Sequence, residues 1–306
     1  MLIFGKKNTY VPKIVDTVIW NNPGDRQKRA ILLFLGKNQY KELGMFKKIA
    51  LAAALTAGTA FATWDYYPVL EAGKGSAKGE LYYDWDDDWS QAGLKIGARY
   101  TVIPNLEISL QSWGFQFWGE TDCKGCVNGG DGLRDLVLGG RYEVAPMITA
   151  FLDINLPIGN DDNDGGATTP PSNGELAFYF GAQFSMPVNE VPGLKFGTEG
   201  GLDWGFEHKN YERGLDLHLA GEIGYTIPNV GVTPFAGLQI KYRLTESEVD
   251  DKIGQDDDGH KQINLWLGAD YFVIPNQLDI WAKLIVRSGK IGGDASGLSA
   301  GAEFFF

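Results

Sequence analysis

The chain has 306 residues, of which 22% are charged and 13% aromatic, with 41 glycines, a formal charge of −12 and a mean hydropathy of −0.17. That balance leaves no room for a bundle of apolar membrane helices. The acidity argues against polyanionic partners, so no nucleic-acid role is expected.

Met45-Phe46-Lys47-Lys48 opens a run of small and apolar residues from Ile49 to Phe61, and Ala60-Phe61-Ala62 supplies an A-x-A site. A basic start, a short apolar core and small residues at the end predict a secretory signal peptide over 45–62, cleaved after Ala62. Residues 1–44 precede it, either from a start codon assigned too early or as a real N-terminal extension, and they are set apart from the fold. Residues 1–62 hold ten of the 27 basic and three of the 39 acidic residues, which leaves 17 and 36, a formal charge of −19.

Residues 63–77 are expected to form a periplasmic lead, with Trp64, Tyr66, Tyr67 and Pro68, and the alternating segments of the barrel follow over 78–306. Glu80 to Asp84 begins the first. In the second, Leu94, Ile96, Ala98, Tyr100 and Val102 share one face while Lys95, Gly97, Arg99 and Thr101 share the other. Leu106, Ile108 and Leu110 continue the apolar face, then Trp113, Phe115 and Phe117 take it over out of phase, which predicts a bulge. Further apolar faces run from Leu136 to Val144, Ile148 to Leu156, Leu176 to Met186, Leu194 to Phe206, Leu215 to Tyr225, Ala236 to Tyr242, Ile263 to Val273 and Leu278 to Val286. The last segment, Gly297 to Phe306, brings the count to twelve.

Ile-Pro-Asn recurs at 103–105, 227–229 and 274–276, and Ala145-Pro146 and Val191-Pro192-Gly193 complete five proline turns on one side. Proline fixes φ and cannot donate to a ladder, so these are tight turns. The connections near 120–132, 158–174, 207–214, 245–260 and 288–296 are longer and more polar. Short turns on one side, longer loops on the other and strands of about 9–11 residues predict an all-β, antiparallel, up-and-down transmembrane β-barrel. The rival is a soluble sandwich, because a period of two does not distinguish lipid from a protein core. The terminal Phe306 resembles the last residue of bacterial outer-membrane barrels. That resemblance implies a location in the cell outer membrane, contact with its lipid and lipopolysaccharide, and Phe306 as a signal read by the barrel-assembly machinery.

With the apolar face outward, the lumen is predicted to be lined by Lys95, Arg99, Glu107, Arg141, Asp153, Glu199, Asp203, His218, Glu222, Lys241, Arg243, Asp270, Asp279, Lys283, Arg287 and Glu303. Charges of both signs there either pair to stabilise a narrow barrel or line a water-filled path. Inward Phe151, Tyr179 and Trp281 either narrow that path, contact an apolar solute or fill space.

Gly132-Leu-Arg-Asp-Leu-Val-Leu-Gly-Gly-Arg-Tyr142 and Leu156-Pro-Ile-Gly-Asn160 resemble the Gly-x-Gly-Asp-x-x-Leu-Gly-x-Lys-Tyr and Leu-Pro-Thr-Gly-Asp signatures of the meta-pathway (MetA) phenol-degradation family of outer-membrane transporters. Arg134 replaces a Gly, Arg141 a Lys, Ile158 a Thr and Asn160 an Asp. The resemblance implies a channel for hydrophobic or aromatic solutes.

Cys123 and Cys126 lie in a glycine-rich loop where an oxidising export route favours a local disulfide, with a metal site or free thiols as alternatives. Asn160, Asp162 and Asp164 imitate the first half of a Ca²⁺ loop, and Asp256-x-Asp258 is a fragment of another. Neither has the closing Glu, so loosely bound Ca²⁺ or Mg²⁺ is weighed against a solvated acidic loop, and no resident cofactor is expected. None of His208, His218 and His260 falls in a catalytic motif, so no enzyme activity is expected; a hydrolase built on His218 and an unidentified Ser is the rival. The expected function is passive passage of small, hydrophobic or aromatic solutes. The alternative is a plugged structural or surface-binding barrel with acidic outer loops.

Overall fold

The computed structural model describes residues 68–121, 130–161, 170–249 and 253–306. Among them the alternating runs form twelve long strands: β1 (Gly75–Trp85), β2 (Trp89–Ile103), β3 (Leu106–Thr121), β4 (Leu136–Ala145), β5 (Ile148–Leu156), β6 (Ala177–Pro187), β7 (Leu194–Gly205), β8 (Asp216–Tyr225), β9 (Val232–Arg243), β10 (Lys261–Ile274), β11 (Leu278–Gly289) and β12 (Ala295–Phe305). Each pairs antiparallel with the next. β12 returns to β1, with Ser76 opposite Phe305 and Trp85 opposite Ser296, so the sheet closes and no edge is left unpaired. This closure replaces the sandwich reading. Three two-residue strands, Tyr211–Glu212, Glu248–Val249 and Ile253–Gly254, pair with one another among the long loops.

The phase change in β3 is a bulge. Ile96 opposes Trp113 and Ala98 opposes Leu110, so two residues of β3 face one of β2, and the apolar face passes from even to odd positions. The tight turns share one device. In each of the five, the residue after proline has positive φ: Asn105 at 70°, Met147 at 70°, Gly193 at 90°, Asn229 at 67° and Asn276 at 56°. Proline presets the first central residue, and Asn or Gly tolerates the left-handed second one, which explains the recurring Ile-Pro-Asn.

The barrel is inside-out relative to a soluble domain. Leu81, Ile108, Leu219, Leu265, Leu267 and Leu298 are exposed on the outer face, while Arg99, Glu107, Arg141, His218 and Lys241 are buried within. Fully exposing a Leu or Ile to water forfeits about 1.5–3 kcal/mol, so this outer surface calls for hydrocarbon. Towards the long-loop end, Tyr83 stacks on Trp85 at 5.3 Å and Trp204 on Phe206 at 4.8 Å, as in an interfacial aromatic girdle.

Candidate functional site: the barrel lumen

Strand pleating places every other residue inward, and the closed register arranges these residues in three zones. At the tight-turn end, Arg99 lies 3.7 Å from both Glu107 and Glu303, and its Nη1 donates to the Pro68 carbonyl at 3.1 Å. Ser76 Oγ donates to Glu303, and the Leu70 amide lies 3.4 Å from Glu107 Oε2, so the lead into β1 is tied to the inner wall.

Midway, Arg141 pairs with Asp153 at 3.1 Å and donates to Ser109 Oγ at 3.0 Å. Tyr179 donates to Glu199, which also accepts from Gln183 at 2.7 Å, and the Tyr179 ring packs on Phe151 and His218, each with centroids 4.9 Å apart. His218 is 0% exposed, and neither ring nitrogen has a hydrogen-bond partner among the described residues; Nε2 lies 3.6 Å from Asp203. The Ser-to-base hydrogen bond that a hydrolase on His218 requires is not among its contacts.

At the long-loop end Arg213 and Arg243 share Asp216 in one network, and Arg287 and Arg134 make contacts of their own. Arg213 bridges Asp203 at 2.7 Å, Glu175 at 3.0 Å and Asp216 at 3.3 Å; Arg243 bridges Asp216 at 2.8 Å and Asp257 at 2.5 Å. Arg287 reaches Asp84 at 3.2 Å, and Arg134 donates to Tyr82 at 2.9 Å and to Gln116 at 3.1 Å. Burial pushes the Glu175 carboxyl up against the pull of Arg213. Burial opposes ionisation of Asp257 too, but hydrogen bonds from Ser247 and Arg243 outweigh it and hold the carboxyl below its usual range. The two sequence signatures meet in this zone: Asn160 N donates to the Leu133 carbonyl, Gly159 N to Asp135, and Asn155 Nδ2 to both Asp135 and the Glu175 carbonyl.

From the tight-turn zone, where Arg99 and Glu303 line it, a cavity of about 960 Å³ extends along β8–β12. It runs from the turn residues Asn229–Gly231 and Pro275–Asn276 up to Gln239, Asn264 and Arg287. Aromatic rings, Phe235, Trp266 and Trp281 among them, share its wall with nine charged residues, which include Glu222, Asp270, Lys283 and Arg287. Trp266 lies over Gly237, Phe235 over Gly268 and Trp281 over Gly301; each pair is in direct register, and a Cβ on any of these glycines would come within 2.1–2.6 Å of the ring. The absent side chain lets each ring lie close against the sheet. Trp266 Nε1 donates to Glu222 at 2.6 Å, and the Lys283 ammonium stands 5.1 Å over Trp281.

Of the residues predicted to line the lumen, Lys95, Arg99, Glu107, Arg141, Asp153, Glu199, Asp203, His218, Lys241, Arg243, Lys283, Arg287 and Glu303 are buried on the inner face, and Glu222, Asp270 and Asp279 are half-buried there. Sequence reading missed Trp266 and Phe235, although both share the phase of inward neighbours, and it missed Arg213 and Glu175, which come from loops without any period. Cys123, Cys126, Asp162 and Asp164 lie outside the described residues; Asn160 belongs to the loop clasp above. Glu246, Asp256 and Asp258, all exposed, bring one carboxylate oxygen each within 4.8 Å of one another.

A closed antiparallel barrel with an apolar outer face and a charged interior defines an integral protein of the outer membrane. The family described as "Putative MetA-pathway of phenol degradation" matches residues 62–289, and the chain belongs to it. No curated protein matches the chain. Among solved structures it is similar to the COG4313 outer membrane channel from Pseudomonas putida F1, at 14% identity and a TM-score of 0.65 over 78% of this chain and 98% of that one. The β domain of the Bordetella autotransporter BrkA matches at 15% identity and a TM-score of 0.48, over 77% of this chain and all of that one. The NanC porin matches at 10% identity and a TM-score of 0.44, over 74% and 98%.

Proposed function

We propose that this barrel is a passive channel for small solutes, hydrophobic and aromatic ones included. The observation that carries the reading is the cavity of about 960 Å³ with Phe235, Trp266 and Trp281 along one wall. Its size lies within the range of ligand-binding cavities, and its aromatic rings offer planar solutes a series of weak contacts, which suits transit better than retention. Membership of the family agrees with this reading.

The second reading is a plugged or surface-binding barrel, favoured by the Arg213–Asp203–Asp216–Arg243 network across the long-loop end. Planar-bilayer recording of the protein purified from outer membranes, with heat-modifiable gel mobility as the check of folding, separates the two. Reproducible conductance steps are expected for a channel; a folded but silent barrel supports the plug. Partners that fit either reading are outer-membrane lipid, lipopolysaccharide and, during biogenesis, the barrel-assembly machinery.

A further inference from the structure

The upper end of the aromatic wall carries a polar pair that the channel reading does not require. Gln239 and Asn264 are register partners on β9 and β10, and a single hydrogen bond, Asn264 Nδ2 to Gln239 Oε1 at 2.7 Å, joins their amides. Gln239 is 3% exposed and Asn264 7%; both line the cavity, and Gln239 Nε2 and Asn264 Oδ1 have no hydrogen-bond partner among the described residues. Turning both amides over leaves the same inventory, one unspent donor and one unspent acceptor. Buried orphan groups of this kind are costly, and a partner that satisfies both recovers that cost.

One pleat repeat below the pair, about 6.8 Å along the strand, stands the Trp266 indole. It is held by its bond to Glu222 and seated over Gly237, with Ile285 opposite it in register on β11. We infer that the upper end of the cavity is a binding subsite for a planar aromatic carboxamide. Both orphan atoms are buried, so a side-chain rotation on binding brings Gln239 Nε2 to the carboxamide's carbonyl and Asn264 Oδ1 to its N–H, while the ring lies against Trp266. An aromatic carboxylate brings a second acceptor to Asn264 Oδ1, and Arg287 is already bonded to Asp84; the Lys283 ammonium also lines the cavity, so benzoate is the competitor that tests the amide pair most directly. A hydrocarbon ring satisfies neither amide, and a phenol must share one oxygen between them.

The assignment rests on the reading of the lumen as a solute path, and the test separates the two. Benzamide, benzoate, phenol and toluene are titrated into the detergent-folded full chain with tryptophan fluorescence as the readout, Trp266→Phe identifying the responding indole, and each is then added to the bilayer recording. Benzamide is expected to bind tightest. Gln239→Leu with Asn264→Leu is expected to weaken benzamide about tenfold, the loss of two neutral hydrogen bonds, and to leave toluene unchanged. The exchange Gln239→Asn with Asn264→Gln keeps a donor and an acceptor and is expected to restore the preference. Equal binding of benzamide and toluene to the parent protein overturns the subsite even where a variant fails to fold. Conductance without carboxamide preference leaves the channel and removes the subsite; selective benzamide binding to a silent barrel does the reverse.

Discussion

Trp266 and Gly237 face each other across β9 and β10, and a Cβ at position 237 would lie 2.1 Å from the indole ring. The glycine is therefore the seat of the tryptophan. Gly237→Val is expected to lift the ring from the wall and break its bond to Glu222, at an overpacking cost of about 1–3 kcal/mol. Tryptophan emission and unfolding in urea of the folded barrel read both effects; unchanged emission would show that the indole does not depend on this contact.

The two faces of β9 give a sharper comparison. Leu238, opposite Leu265 in register, points outward, whereas Gln239 points into the lumen. Arginine at Leu238 is expected to cost about 2–4 kcal/mol near the bilayer centre, while a lumenal substitution escapes the lipid penalty. Folding yields into lipid vesicles measure the difference, and equal yields for Leu238→Arg and Gln239→Arg would refute the assignment of faces.

Arg213 joins three carboxylates that come from β7, β8 and a loop. Arg213→Ala leaves Glu175, Asp203 and Asp216 without their shared cation, and breaking a buried pair of this kind costs about 3–5 kcal/mol. Loosening of the long-loop end is the expected result, read as larger or noisier conductance steps and faster proteolysis of the loops. A variant with unchanged current would place the narrowest point elsewhere.

Asp257 accepts from Ser247 N at 2.7 Å and Ser247 Oγ at 2.9 Å as well as from Arg243. Its folded pKa is depressed, so its stabilising contribution is complete above the unfolded value of about 3.9 and is lost as pH falls through the folded value. The contacts of Asp257 with Ser247 and Arg243 are expected to hold at neutral pH and to loosen only in acid below that value. In Asp257→Asn the acid-dependent part of the loosening disappears, and protease sensitivity around Asp257 across pH checks it.

Met147 is the residue of the five tight turns that holds the left-handed conformation without being Asn or Gly. Strain of about 1–2 kcal/mol accompanies that conformation in ordinary residues. Met147→Asn is expected to raise barrel stability by about 1 kcal/mol in denaturant unfolding, by matching the turn to Asn105, Asn229 and Asn276.

Much of the fold was legible along the chain because it is written in local periods. Leu94 beside Lys95 and Leu238 beside Gln239 name the outer and inner faces through the two-residue pleat, the proline turns mark where strands reverse, and the slip between Leu110 and Trp113 announces the bulge. What the pleat cannot convey is which inward residue meets which. Trp266 finds Gly237, Asn264 finds Gln239 and Arg213 reaches Asp203 through the offset between neighbouring strands and the infolding of loops that have no period at all. A period of two is a property of each strand alone and survives any even shift of register, so it assigns a side chain to the lumen but not to a partner. The lumen residues were therefore readable as a set, while the aromatic wall, the amide pair above it and the charge network at the long-loop end came into being only when neighbouring strands paired in register and the loops folded in.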